Sequence, residues 1–199
     1  MSKLKFTAQT ETIETNPDML NYYYFDSLLT PKEVKDILII CEKLSSEVIV
    51  TDYNKPSEDV KRRSTVGYIP INKDTKWIYE KLYHLSEDAN QEMGWNFDIE
   101  GIDRLIEFST YTDNGGHYEW HSDISQSNTN KLSMTVHLST NEEFTGGKTE
   151  FNYGSTIIKP TFNIGDVVIS PSYLQQRVTP ILTGVRRTLT LNVTGKPLK

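Results

Sequence analysis

The segment Tyr111-Thr-Asp-Asn-Gly-Gly-His-Tyr-Glu-Trp-His121-Ser-Asp123 carries the densest chemistry in the sequence and ends in a His-x-Asp pair. Side chains two apart on a β-strand project to the same side, so His121 and Asp123 can offer an imidazole and a carboxylate to one point in space. Those ligand types suit non-haem iron(II), which in a facial triad keeps three positions open for co-substrate and oxygen. The spacing alone is a weak signal, because His-x-Asp also marks ordinary hydrogen-bonded surface pairs. Its value depends on the elements that hold it.

Those elements change character along the chain. Thr30-Pro31-Lys32-Glu33 supplies a capping threonine, a proline suited to the first helical turn and a capping-box glutamate. Val34, Ile37, Leu38, Cys41 and Leu44 then recur at helical spacing as one apolar stripe. A second helix is expected from about Thr75 to Met93, burying Trp77, Ile78, Leu82, Leu85 and Ala89 and stopping at Gly94. Beyond residue 100, short runs rich in Val, Ile, Thr, Tyr and Phe alternate with Asn-Gly-Gly, Thr-Gly-Gly, Tyr-Gly and Ile-Gly-Asp turns, which is the texture of an all-β half. From Arg187 to Val193, Leu189, Leu191 and Val193 alternate with Thr188, Thr190 and Asn192, as in a strand with one buried face. The expected organisation is a single domain over 1–199, mainly β with supporting helices, in which a helix-rich region (1–99) packs against a β core (100–195). The mouth of that core is the default pocket.

Composition narrows the function. A chain of 199 residues that is 36% hydrophobic and 24% charged is globular and large enough for a core without disulfides. The single cysteine, Cys41, has no partner within the chain, which favours a reducing compartment. No apolar run at the start has signal-peptide length and none elsewhere approaches a membrane span, so the expectation is a cytoplasmic protein without membrane contact. A net charge of −6 works against phosphate-backbone binding, and no nucleic-acid partner is expected. The mixed-charge run from Lys55 to Arg63 reads as a solvated loop. The sequence leaves the oligomeric state open.

Downstream of the His-x-Asp pair follow Leu132-Ser-Met-Thr-Val-His-Leu-Ser139, Phe144-Thr-Gly-Gly-Lys-Thr-Glu-Phe151, Pro160-Thr-Phe-Asn-Ile-Gly-Asp-Val-Val-Ile169 and Arg177-Val-Thr-Pro-Ile-Leu-Thr-Gly-Val-Arg-Arg-Thr-Leu189. In order and spacing these blocks resemble the 2-oxoglutarate/iron(II) oxygenase domain of the prolyl 4-hydroxylase superfamily, near its bacterial and phage-type hydroxylases, over roughly residues 100–195. The stretch from Asn21 to Leu38 resembles that family's entry helix. The resemblance implies a double-stranded β-helix, or jelly roll. It implies His121 and Asp123 as iron ligands, Arg186 as the partner of the distal carboxylate of 2-oxoglutarate, and Tyr111 and Thr188 as further contacts to that co-substrate. Arginine suits its part because its planar fork meets a carboxylate bidentately and stays charged. Tyr111 and Tyr118 are each as well explained by aromatic packing, and His137, where relatives often line the co-substrate pocket, by plain packing.

The activity implied is hydroxylation of a C–H bond, coupled to conversion of 2-oxoglutarate and O2 to succinate and carbon dioxide, with ascorbate as a reductant. The substrate implied first is a proline-containing peptide or protein, with amino acids and other small molecules as alternatives. Residues 45–63 and 125–131, polar and containing Ser and Asn, are candidate lids. One position departs from the family. Ten residues before Arg186, where relatives carry a second histidine ligand, stands Gln176. Its neutral amide oxygen is a weaker donor to a late first-row metal than an imidazole nitrogen. The site is therefore a native His-Asp-Gln centre of lowered iron affinity, a degenerate domain that binds without turnover, or an introduced variant of a working enzyme. A non-catalytic jelly-roll binding module and a cupin-type protein with another cofactor are the rivals.

Overall fold

The computed structural model describes residues 22–44, 46–50 (backbone only), 61–102, 104–124, 129–154 and 156–197. The start of the chain, Lys55–Val60 and most of the two candidate lids (Ser45, residues 51–60 and 125–128) lie outside the described residues. What is described of those lids is strand at residues 46–50, 62–63 and 130–131, with Lys61 and Thr129 just outside the strands.

In chain order the elements are β1 (Tyr23–Phe25), α1 (Pro31–Cys41), β2 (Ser46–Val50), β3 (Arg62–Ile69), α2 (Lys76–Glu92), β4 (Ile99–Ile102), β5 (Ile106–Thr112), β6 (His117–His121), β7 (Asn130–His137), β8 (Phe144–Gly146), β9 (Thr149–Asn152), β10 (Ile157–Ile158), β11 (Val167–Pro171), β12 (Gln175–Val178) and β13 (Ile181–Gly195). The strands form one curled antiparallel sheet ordered β1-β11-β7-β13-β5-β3-β6-β12-β9-β10. The order reads as two walls of a jelly roll, a major one from β1 to β3 and a minor one from β6 to β10. Strand β3 joins them, pairing along its length with β5 and, at Arg62 and Arg63, with β6. The first hundred residues thus supply the two helices, but also β1, β2 and β3, and the joining strand of the sheet comes from the half expected to be helical.

Both expected helices form where their caps place them. Thr30 accepts from the Glu33 backbone while the Glu33 carboxylate bonds back to the Thr30 backbone, closing the capping box. Gly94, with φ of +65°, ends α2 in the left-handed region. Val34, Ile37 and Cys41 of α1 and Ile78, Leu82, Leu85 and Ala89 of α2 pack in one cluster with Leu132, Val136, Ile169, Leu189 and Val193, so the helices cover the outer face of the major wall. On β13 the alternation then decides everything else. Leu189, Leu191 and Val193 are used up in that cluster, so Arg186, Thr188, Thr190 and Asn192 must face the space between the walls.

That interior is half plugged and half open. Tyr22, Phe151, Phe162, Val168 and Leu174 fill one part, with Tyr22 and Phe151 stacked at 5.3 Å. The remainder stays open and polar. The irregular start of β13, where Phe144 of β8 lies opposite, depends on Gly184, whose φ is +80° and where a Cβ would overlap the Glu143 carbonyl oxygen. Gly184→Ala should therefore destabilise the protein by about 3 kcal/mol or more, against about 1 kcal/mol for Thr30→Ala at the exposed cap. Urea denaturation of the two variants checks this order.

Candidate active site

The open interior is a cavity of about 460 Å³ lined by residues from both walls. His121 reaches it from the end of β6, and Asp123 from just beyond that strand, with His121 Nε2 and Asp123 Oδ1 3.8 Å apart. Gln176 arrives from β12, directly across from His121 in the ladder, and its Nε2 donates to Asp123 Oδ2 at 2.8 Å. Arg186, Thr188 and Tyr111 line the same space. All six residues singled out in the sequence therefore meet in one cavity.

The His121–Asp123 end is oriented from behind. His121 Nδ1 lies 2.7 Å from the Glu119 carbonyl oxygen, which fixes its proton there and turns the Nε2 lone pair toward Asp123. Burial pushes the His121 imidazole below its ordinary pKa, and Asp123 only partly offsets this, so the neutral form that a metal requires is favoured. The ring is clamped by Tyr118, stacked on it at 3.5 Å and 8°. At 3.8 Å the two donor atoms are closer than the sum of two typical metal–ligand bonds of about 2.1 Å, so one ion can touch both. Among the described residues no third His, Cys, Asp or Glu joins them. The third donor available is the Gln176 amide, which in the conformation seen presents its NH2 to Asp123; a half-turn of the amide would present the oxygen instead.

The other end holds an uncompensated charge. Arg186 is 2% exposed and its one described hydrogen bond runs from Nη2 to Thr149 Oγ1 at 3.0 Å. Its guanidinium lies 5.5 Å from the Tyr111 ring, whose backbone is directly opposite in the β5–β13 ladder. No described carboxylate pairs with it, and burial lowers its pKa to about 10. Nearby, Thr188 Oγ1 and His137 Nε2 are buried without a hydrogen-bond partner. His137 stacks on Phe162 at 4.2 Å, and burial, then the Arg186 charge, hold its imidazole well below the ordinary pKa and hence neutral. A cation that lines two adjoining cavities, with the Thr188 hydroxyl in one and His137 Nε2 in the other, fits a bound carboxylate. His137 is packed, as read, and its Nε2 has no described hydrogen-bond partner.

The sequence reading missed Arg62 and Glu107. Arg62 was assigned to a solvated run, yet it is 9% exposed and sits on β3 inside the cavity. It is ion-paired with Glu107, donates to Ser64 at 2.9 Å and Ser109 at 3.0 Å, and lies 4.9 Å over the Tyr118 ring. Although burial pushes the Glu107 carboxyl up, the hydrogen bonds and charge of Arg62 hold it below the ordinary range. The signal was present in the alternation. Arg62, Ser64 and Val66 share one face of β3, and Glu107 and Ser109 share the face of Tyr111 on β5.

The sequence matches no protein-family model and no curated protein. Solved structures are similar. They include a prolyl-4-hydroxylase from Pseudomonas putida (17% identical, covering 89% of this chain and 94% of that one, TM-score 0.68). A second is a prolyl hydroxylase from Trichoplax adhaerens, in complex with a hypoxia inducible factor oxygen degradation domain peptide fragment (15%, 89% and 85%, 0.68). A third is a viral collagen prolyl hydroxylase from Paramecium Bursaria Chlorella virus-1, as its 2OG complex (18%, 89% and 98%, 0.62). The chain thus shares the jelly-roll fold of these solved structures. No described helix is long and apolar enough to cross a membrane.

Two opposite stability effects follow from the two arginines. Arg62→Ala leaves the half-buried Glu107 without its cation and should cost about 3 kcal/mol. Arg186→Met removes an unpaired buried charge and should raise Tm by about 2–4 °C, a gain of about 1 kcal/mol for a chain of this size. Calorimetric melting of both variants measures the two signs.

Proposed function

We propose that the chain is an iron(II)- and 2-oxoglutarate-dependent oxygenase that hydroxylates a C–H bond, with a prolyl peptide or amino acid as its first substrate candidate. The observation that carries this reading is the buried, unpaired Arg186 facing the cavity that also holds His121 and Asp123. A dicarboxylate bridging the two ends would supply the missing anion. Arg186, with the Thr188 hydroxyl and the His137 Nε2 beside it, would hold the distal carboxylate.

The metal would sit on His121 Nε2 and Asp123, with Gln176 as third donor or as the group that orients Asp123. When bound, iron(II) supplies the oxygen activation that couples oxidation of 2-oxoglutarate to succinate and carbon dioxide with hydroxylation of the substrate, ascorbate serving to keep the metal reduced. The protein's own share is positional. Glu119 fixes the His121 tautomer, Tyr118 fixes its plane, and the Arg62–Glu107 pair holds Tyr118 from behind. Tyr111 and Thr149 keep the Arg186 guanidinium in place, and the closed interior limits water around it.

Substrate choice belongs to the rim. Tyr68 and Leu105 are 43% and 42% exposed beside Arg104 at the cavity mouth, a surface that suits an extended segment with apolar and acidic groups. The peptide held by the Trichoplax structure supports a peptide here. A second reading, a binding module with little turnover, is favoured by the Gln176–Asp123 hydrogen bond, which occupies a carboxylate oxygen that a metal would use.

The test is succinate formation from 2-oxoglutarate with added iron(II), for the protein as it stands and for Gln176→His. The oxygenase reading expects measurable turnover that requires iron, and a rise of about 10-fold or more in activity or metal affinity on restoring the imidazole. If neither protein forms succinate or binds iron, that reading is wrong. If only the variant does, the binding-module reading holds.

A further inference from the structure

Behind Arg186 lies a second cavity of about 250 Å³, and Arg186 and Thr149 line both spaces. The guanidinium therefore borders both spaces. The second cavity opens at exposed Asn141, Thr145, Lys148 and Thr161, and runs inward to buried His137 and Phe162. We infer that it is a rear entrance through which small dicarboxylates reach Arg186 without crossing the front mouth. The inference rests on the reading that Arg186 holds such a molecule.

Three features separate an entrance from a packing gap. First, its inner end carries an imidazole nitrogen, His137 Nε2, that is buried and has no hydrogen-bond partner; interiors normally satisfy such atoms, so the vacancy marks a place for a polar guest. Second, the backbone of the wall packs directly against the stem of Arg186. Gly147 has φ of +57°, and a Cβ there would overlap Ile181 Cδ1 and press on Arg186 Cδ at 3.2 Å. Third, the rim is cationic. Lys148 is exposed, and Lys159 beside it stands 2.9 Å from Glu150, so an approaching dianion meets positive charge first and the buried guanidinium last. A rear route would let co-substrate enter and its shortened product leave while a peptide covers Tyr68, Arg104 and Leu105 at the front.

The experiment is stopped-flow binding of 2-oxoglutarate to the full chain and to three variants of exposed positions. Thr161→Trp narrows the rear rim, Lys148→Glu reverses its charge, and Arg104→Glu reverses charge at the front. A rear entrance expects Lys148→Glu to slow association about 3- to 10-fold at low ionic strength, with the effect lost at high salt, while Arg104→Glu leaves it unchanged. It also expects Thr161→Trp to slow association and dissociation by a common factor, leaving Kd within about twofold, since a narrowed passage alters rates and not equilibrium. The inference is overturned if Arg104→Glu slows association as much as Lys148→Glu or more, or if Thr161→Trp changes neither rate. Should the unaltered protein fail to bind 2-oxoglutarate at all, the co-substrate reading fails first and the entrance with it.

Discussion

The structure turns on a guanidinium held in the interior without an anion. A charge taken out of water is unfavourable unless it is paired, and Arg186 is paired by one hydroxyl and the face of one ring. Such an arrangement persists in a folded protein when the surrounding scaffold is stable enough to impose it. Here the imposition comes from alternation along β13. Leu189, Leu191 and Val193 are locked into the helix-covered side of the major wall, and the opposite parity forces Arg186 and Thr188 inward. Changing the side on which Arg186 lies would require a one-residue slip that exposes the whole apolar set.

The site's two ends are held by different means. At the Arg186 end the scaffold leaves Thr188 Oγ1 and His137 Nε2 unsatisfied beside a guanidinium with no described carboxylate partner. At the His121–Asp123 end it satisfies nearly everything, through Glu119 on His121, Gln176 on Asp123, and the Arg62–Tyr118–His121 stack. The contrast has a physical reading. Ligand groups must be fixed in direction before a metal arrives, whereas a carboxylate brings its own acceptors and needs only donors waiting for it.

Much of this was legible in the sequence where a local rule ruled. The capping box at Thr30, the helical stripe of α2, the glycine turns and the alternation of β13 each rest on neighbours in the chain, and each stands in the fold as read. The six residues His121, Asp123, Gln176, Arg186, Thr188 and Tyr111 come together as their spacing and the family resemblance suggested. What was not legible depended on partners far away in sequence. Arg62 looks like part of a charged loop until Glu107, 45 residues later, neutralises it inside the sheet. The first hundred residues looked helical because helices announce themselves by caps, while β3 begins with two arginines and a serine. His137 read as ordinary packing because its stacking partner, Phe162, and its unsatisfied nitrogen are visible only after the walls close.

The central claim is that the interior of this protein is built to receive a dicarboxylate on Arg186. Isothermal titration of 2-oxoglutarate into the protein and into Arg186→Met tests it most directly. The account predicts saturable one-site binding to the unaltered chain, and a loss of at least about 100-fold in affinity for the variant, in keeping with a charge-assisted, bidentate contact. Equal binding by the two proteins would contradict it, because the carboxylate would then be held by something other than the buried Arg186 guanidinium.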